Sequence, residues 1–367
     1  MQISFVDLKR QNKIHLRTYQ DVITNCIVEA EFIDGKAVND FEKKFAAYCN
    51  KLDCITVNSG TDALFLTLLA YEIGPGDEVI TTPNSYFSTA MVIEHTGAKV
   101  VFADIDPNTY TINPAEVEKK ISSRTRALIP IHLFGQPANM DPLITLAKKN
   151  SIFIIEDCCQ AHGAKYKDKT VPYTETGAFS FYPGKNLGSF GDGGAVVTNN
   201  RKVARKIRLL RNDGSIIKYQ HRTFGYKSRL DTIQAAILNN KLLHLDTWNE
   251  LRRKHAAIYT KALQSVNKIR TPVETNYAYH VFHLYVIDTP ERNELQKNLF
   301  KHGINTVIHY PIPIHLQLPY RKKGYNHGNF PIAENAANRI LSLPMFPELT
   351  VKEIRFISEK IENFFLK

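Results

Sequence analysis

The 367-residue chain predicts an α/β fold: a large domain with a mostly parallel sheet flanked by helices, then a smaller α/β carboxyl-terminal domain. Short apolar runs alternate with helix-length periodic stretches through the first two-thirds, and such alternation folds as parallel strands joined by crossover helices. Beyond it, a long helical stretch leads into a second, differently spaced alternation. Length agrees, since about 150 residues per domain allows roughly two to three units.

Strands are expected at Cys54–Val57, Glu78–Thr81, Lys99–Phe102, Ala127–Ile131 and Ile152–Ile155. Helices fit the gaps at Thr61–Glu72, Ser85–His95, Pro114–Ile121 and Met140–Lys149 by length and periodicity. Two more strand-like runs, Gly177–Tyr182 and Gly193–Thr198, flank a turn rich in glycine and proline. From Leu230 to about Leu263 the chain reads as one long helix, opened by good helix formers. A strand at Val281–Ile287, a helix near Glu291–His302, a strand at Ile304–His309 and two helices complete it. The division falls at 245, giving domains 1–245 and 246–367. Tyr310–Phe330, rich in Pro, Tyr and His, is a loop able to cover a site.

Composition narrows the class. Hydrophobic residues make up 43% and charged residues 23%, as in an ordinary globular enzyme. No apolar run reaches the roughly 18–20 residues of a membrane span, and the first ten residues lack a secretory signal, so cytoplasm is expected. Five cysteines without a Cys-x-x-Cys pair suggest neither a disulfide framework nor zinc. The adjacent Cys158 and Cys159 read as packing residues. The net charge of +11 comes from clusters such as Arg201–Arg211 and Arg252-Arg253-Lys254, without interleaved aromatics or a recognition motif. A solvated basic surface is expected, not a nucleic-acid interface.

The most informative segment is Phe179-Ser180-Phe181-Tyr182-Pro183-Gly184-Lys185-Asn186-Leu187-Gly188, followed by Gly191-Asp192-Gly193-Gly194. It holds a lysine in a tight turn between two buried strands, placed to act as an amine. Upstream, Ile152–Ile155 runs into Glu156-Asp157, a carboxylate at the carboxyl end of a strand. A buried aspartate and a shielded lysine are what pyridoxal phosphate requires, one to keep the pyridine nitrogen protonated and one to bond the aldehyde and move a proton. Attack on an aldehyde needs a neutral amine, so the pocket must disfavour the ammonium. Asn58-Ser59-Gly60-Thr61 opens a helix whose free N–H groups attract an anion. These segments all fall at strand ends, where such sheets bind ligands.

At these residues the chain resembles the DegT/DnrJ/EryC1/StrS sugar aminotransferases, of pyridoxal phosphate fold type I. Phe5-Val6-Asp7-Leu8, Asn58–Leu64, Gly74–Val79, Asp104–Pro107, His132-Leu133-Phe134-Gly135-Gln136, Ser228-Arg229-Leu230-Asp231 and Leu341–Met345 extend the likeness nearly end to end. The resemblance implies catalytic Lys185 and Asp157. It implies a cofactor held by Gly60, Thr61, Tyr86 stacking on the ring, Gln160 at the phenolic oxygen, and the Ser180 hydroxyl at the phosphate. Lys227 stands where many relatives carry an asparagine that reaches the neighbouring subunit's phosphate, and Arg229 is a candidate clamp for a carboxylate or diphosphate. Homodimers with shared active sites follow from the same likeness.

The wording of Ser180–Lys185 and His309–Gln317 resembles members that aminate carbon 3 of dTDP-linked 3-keto-6-deoxyhexoses, with Tyr182, His309 and Tyr310 facing the sugar. Glutamate is the implied donor, and the positive field suits a nucleotide sugar. Amination at carbon 4 is the alternative position. A dehydratase on this fold has histidine in place of Lys185, and a non-catalytic regulator should have lost Lys185 or Asp157. A metal site from His302, His309 and His315 matches no standard spacing. His162 reads as a hydrogen-bonded core residue.

Overall fold

Seven strands form the central sheet of the computed structural model, which describes residues 1–366. They are β1 (Asp53–Val57), β2 (Glu78–Thr81), β3 (Lys99–Phe102), β4 (Thr125–Leu128), β5 (Phe153–Asp157), β6 (Thr176–Ser180) and β7 (Gly194–Thr198). Their order is β1-β7-β6-β5-β4-β2-β3. Only β7 is antiparallel, lying between β1 and β6. The Lys185 turn that joins β6 to β7 contains no crossover helix, so the chain must return antiparallel.

Helices α1 (Leu8–Ile14), α2 (Leu16–Val28) and α3 (Lys36–Tyr48) precede the sheet. Helices α4 (Gly60–Ala70), α5 (Ser88–His95), α6 (Pro114–Glu118) and α7 (Met140–Lys149) connect its strands. Alternate strand residues point to opposite faces. Ile55, Val57 and Val196 meet Leu64 and Leu68 of α4 on one side. Cys54, Phe179 and Val197 meet Phe41 and Phe45 of α3 on the other. Phe45 packs edge-on to Phe179 and Phe181, with centroids at 5.0 and 5.4 Å. Each such buried ring contributes roughly 1.5–3 kcal/mol.

Several expected elements differ in detail. The long helix is two, α9 (Thr232–Leu242) and α10 (Leu245–Leu263), following α8 (Arg201–Leu210). Leu243 and His244 donate to the carbonyls of Asn240 and Lys241, three residues back, which tightens the end of α9 after two weak helix formers, Asn239 and Asn240. Ile304–His309 is not a strand: Ile304 bridges Ile3 and Val307 bridges Ser342, so the segment passes between two neighbours without a continuous partner. Helix α5 starts at Ser88 and leaves Ser85 and Tyr86 in a loop on the cavity. The strand ending in Ile155 extends to Asp157.

A separate core surrounds Tyr259 and Leu263 of α10, Leu295 and Leu299 of α11 (Arg292–Lys301), and an antiparallel pair, β8 (Tyr285–Asp288) and β9 (Ile340–Leu343). The division we propose at 245 rests on this second core. Ile3 belongs to it as well, so the amino terminus is stitched to the carboxyl-terminal unit, which a linear boundary does not express. Among the described residues no helix is long and apolar enough to cross a membrane. Of the basic residues on α8 and just after it, Lys206 pairs with Glu72, Arg208 with Asp53 and Arg211 with Glu42.

Candidate active site

The carboxyl ends of β1, β5 and β6 meet the start of β7 at one edge of the sheet, with Asp157 opposite Ala178 and Ser180 opposite Gly194. Gly194 lies so close to the start of α4 that a Cβ there would stand 2.3 Å from the Ser59 carbonyl carbon. Gly60 is equally constrained, since its Cβ would stand 2.6 Å from the Cβ of Ser180. The two glycines press the amino terminus of α4 against the lysine strand and leave an open cradle. Ser59 caps the helix by accepting from the Asp62 N–H at 3.1 Å, and Thr61 Oγ1 donates to Ser88 Oγ at 3.0 Å.

A cavity of about 520 Å³ opens on this cradle, lined by Gly60, Thr61, Tyr86, Asp157, Gln160, Ser180, Tyr182, Lys185, His309 and Tyr310. Ten of the residues singled out from the sequence thus face one space. A second cavity of about 660 Å³ lies beyond and shares Gln160, Tyr182, Lys185, His309 and Tyr310 with the first. The segment Ser4–Lys9 forms much of its other wall. Lys185 therefore stands between two chambers.

Burial lowers the Lys185 pKa, and the nearby Cys159 and Asp157 oppose it only in part. Burial pushes the Cys159 thiol up, so no thiolate forms beside the amine. Asp157 is 5% exposed. Its Oδ2 accepts from Thr89 Oγ1 at 2.9 Å and its Oδ1 from the Cys159 N–H at 3.1 Å. Gln160 Oε1 accepts from the Phe134 N–H at 2.7 Å, which turns its Nε2 toward the Tyr310 hydroxyl at 3.1 Å. Phe134 reaches that position with a φ of 61°. His309 is tied through Nδ1 to Ser342 Oγ at 2.9 Å, and burial with the charge of Lys185 lowers its pKa to about 4.

Several supporting residues escaped the sequence reading. Thr89, on a helix distant in sequence from Asp157, gave no signal. Glu156 accepts from His132 at 2.7 Å and from Thr174 Oγ1 at 2.6 Å. Burial opposes its charge, but these bonds outweigh burial and hold its carboxyl below the usual range. His132 Nδ1 accepts from the Ala138 N–H at 3.0 Å, so Nε2 carries the hydrogen given to Glu156. The pair braces the strand residue beside Asp157. With Cys158 these groups lie close enough together to ligate a metal, yet both the imidazole and the carboxylate are already hydrogen bonded.

The structure does not bring Lys227 or Arg229 to the chain's own cavities. The Lys227 side chain is 71% exposed and stands 3.9 Å from Asp213. Arg229 donates to Asn212 at 3.2 Å and stands 3.8 Å from Asp34. Their neighbour Ser228 has a clear local part: it accepts from the Asn58 N–H and donates to Asp62 at 2.6 Å, fixing the loop before α4. His162 is buried against Phe179 and Phe181 as expected of a core residue, but without the expected hydrogen bonds: neither ring nitrogen has a partner among the described residues, and burial lowers its pKa to about 3. His302, His309 and His315 each have a separate partner, Asn298, Ser342 and Glu334.

Known proteins share this fold. Residues 16–362 match the DegT/DnrJ/EryC1/StrS aminotransferase family. The chain is 45% identical to a pleiotropic regulatory protein of Geobacillus stearothermophilus, over 100% of this chain and 99% of that one. It is 44% identical to the dTDP-3-amino-3,4,6-trideoxy-alpha-D-glucose transaminase of Streptomyces venezuelae, over 95% of this chain and 92% of that one. The crystal structure of S. venezuelae DesV in complex with a ketimine intermediate has a TM-score of 0.98 at 40% identity, covering 100% of this chain and 99% of that one. With matches of this extent, the chain belongs to the DegT/DnrJ/EryC1/StrS aminotransferase family.

Proposed function

We propose that this transaminase moves an amino group from glutamate to a nucleotide-linked keto sugar, at carbon 3 of a dTDP-3-keto-6-deoxyhexose. Its cofactor is pyridoxal 5'-phosphate, as in the family. The residues present fit that group: the start of α4 lines the cavity through Gly60 and Thr61 beside Ser180, and a buried carboxylate and a buried amine face the same space. When bound, pyridoxal phosphate supplies the electron sink into which a C–H bond can ionise.

The chain's own residues do the rest. Lys185 would hold the cofactor between turnovers and, as a free amine, would carry the substrate's α proton. Burial suits it to both tasks by weakening its hold on a proton. Asp157, oriented by Thr89 and the Cys159 N–H, holds a proton at the ring nitrogen. Gly60, Thr61 and Ser180 would hold the phosphate at the start of α4, Tyr86 would cover the ring, and Gln160 would donate to the phenolic oxygen. Tyr182, His309 and Tyr310 face the sugar. Lys227 and Arg229 act in the neighbouring subunit's site, so the working unit is a homodimer.

The observation that carries this reading is the pairing of Lys185 with Asp157 in one cavity on the α4 terminus. The carbon-3 assignment leans on the name of the Streptomyces relative and on the wording around Lys185 and His309. Incubation with glutamate and synthetic dTDP-3-keto or dTDP-4-keto sugars, read by mass spectrometry, tests it. A carbon-3 amino product is expected. A carbon-4 product overturns the regiochemistry and leaves the aminotransferase standing. The regulatory name of the Geobacillus relative raises a second reading, a non-catalytic sensor, but such a protein has no need for the Lys185 and Asp157 that this chain keeps.

A further inference from the structure

The second cavity has a side chain that none of these roles uses. His283 stands in its wall with Lys185, just before β8. Hydrogen bonds around it fix its tautomer. Asn249 Nδ2 donates to the His162 carbonyl at 2.8 Å, so Asn249 Oδ1 is the acceptor for Asn186 Nδ2, also at 2.8 Å. Asn186 Nδ2 donates as well to the Val281 carbonyl at 3.2 Å. That orientation leaves Asn186 Oδ1 facing His283 Nδ1 at 3.1 Å. An amide oxygen only accepts, so Nδ1 carries the hydrogen and Nε2 keeps a lone pair.

Nε2 has no hydrogen-bond partner among the described residues, and it is not sealed in the core. Burial, then the charge of Lys185, holds the imidazole well below its ordinary pKa, so the lone pair stays unprotonated at neutral pH. A fixed acceptor beside the reacting amine selects its neighbours by charge and by hydrogen. It repels a carboxylate and welcomes an O–H. Its neighbours are differently committed: His309 Nδ1 is tied to Ser342, and the Tyr310 hydroxyl takes the Gln160 amide.

We propose that His283 Nε2 accepts a hydrogen bond from a hydroxyl on a carbon next to the reacting carbonyl of the sugar, making His283 a specificity residue for the sugar half of the reaction. The inference rests on the aminotransferase reading above. Sites built around a hydrogen bond discriminate more sharply than apolar ones, because the analogue lacking the hydroxyl leaves a polar group unpaired.

Two variants test it. His283→Phe keeps a ring of similar shape and removes the acceptor, while His283→Gln can return an amide oxygen near the Nε2 position. In single-turnover measurements His283→Phe should lose about tenfold in the sugar half-reaction, and clearly less in the glutamate half-reaction. His283→Gln should recover part of the loss. A keto sugar lacking the hydroxyl on one flanking carbon should narrow the gap between wild type and His283→Phe. Affinity of the cofactor-free protein for the aminated product, by calorimetry, should fall by a similar factor. Equal losses in both halves, or a gap that neither deoxy analogue narrows, would overturn the contact. If His283→Phe fails to fold, shown by loss of the cofactor absorption band, the comparison of His283→Gln with the deoxy analogues carries the test. Wild-type protein that aminates no keto sugar defeats the aminotransferase reading and this contact with it; wild-type turnover with an unmoved His283→Phe defeats the contact alone.

Discussion

Lys185 and Asp157 illustrate how burial sets chemistry at the scale of one side chain. The lysine sits where desolvation works against its charge, and the aspartate sits where two donors hold its oxygens in place. Lys185→Ala is expected to abolish both turnover and the visible absorption band of the lysine-bound cofactor, because among the described residues no other amine lines the first cavity. Wild-type turnover in that variant would falsify the central assignment. Asp157→Asn should still bind cofactor, but losing a buried charged partner costs roughly 3–5 kcal/mol. The rate should therefore fall by about two to four orders of magnitude. A drop of less than tenfold would place another residue at the ring nitrogen.

The lysine turn and the start of α4 are the elements that hold these groups. Ser189 Oγ donates to the Phe181 carbonyl at 2.8 Å, and Lys241 Nζ donates to the Gly188 carbonyl at 2.8 Å. Lys241 is buried beside the Phe190 ring, with its pKa lowered by burial from 10.5 to about 8. A lysine with a depressed folded-state pKa binds fewer protons when folded, which costs on the order of 3 kcal/mol below about pH 8. The cost is relieved as pH rises from about 8 toward 10.5, so this group makes stability increase across that window. Lys241→Met should flatten that rise in urea unfolding measured at both ends of the window, and an unchanged slope would show that the site is not a titrating one. On α4, Gly60→Ala drives a Cβ against Ser180 and Cys159, so the helix start must shift away from the lysine strand. Cofactor affinity, measured by titration of the cofactor-free protein, should weaken at least about tenfold while the fold survives; unchanged affinity would remove the α4 terminus from the phosphate site.

At the scale of the molecule, one stretch presents several large apolar side chains to solvent. The hairpin Ser215–His221 and its flank present Ile216, Ile217, Tyr219 and Phe224, the last 99% exposed. Lys227 and Arg229 follow on the same stretch, away from the chain's own cavities. Exposed apolar residues in such number mark an interaction surface. Sedimentation at micromolar concentration should give a dimer. Phe224→Asp together with Ile217→Asp should shift it toward monomer and lower activity with it, since Lys227 and Arg229 would no longer reach a second site. A fully active monomer would refute the shared-site proposal.

The fold class was legible because it depends on period and order. Apolar runs such as Glu78–Thr81, buried on both faces, need no partner to declare themselves as central strands. The Lys185 turn and the carboxylate ending β5 were likewise legible, because glycine, proline and charge interrupt apolar runs at fixed places. Sequence also misjudged what depends on neighbours. Ile304–His309 has the pattern of a strand, yet its pairing is set by which chains lie beside it. The break between α9 and α10, where Leu243 and His244 tighten onto the Asn240 and Lys241 carbonyls, is likewise not marked by periodicity. Thr89 on Asp157, Phe134 on Gln160, and the relay from Asn249 through Asn186 to His283 join residues 26 to 97 positions apart. Local composition carries no trace of such pairs, because a hydrogen bond's direction is fixed only when packing chooses which donor meets which acceptor. Sequence alone determined the sheet, the family and the amine–carboxylate pair; tertiary structure alone decided which groups orient them and which lone pairs face the cavity.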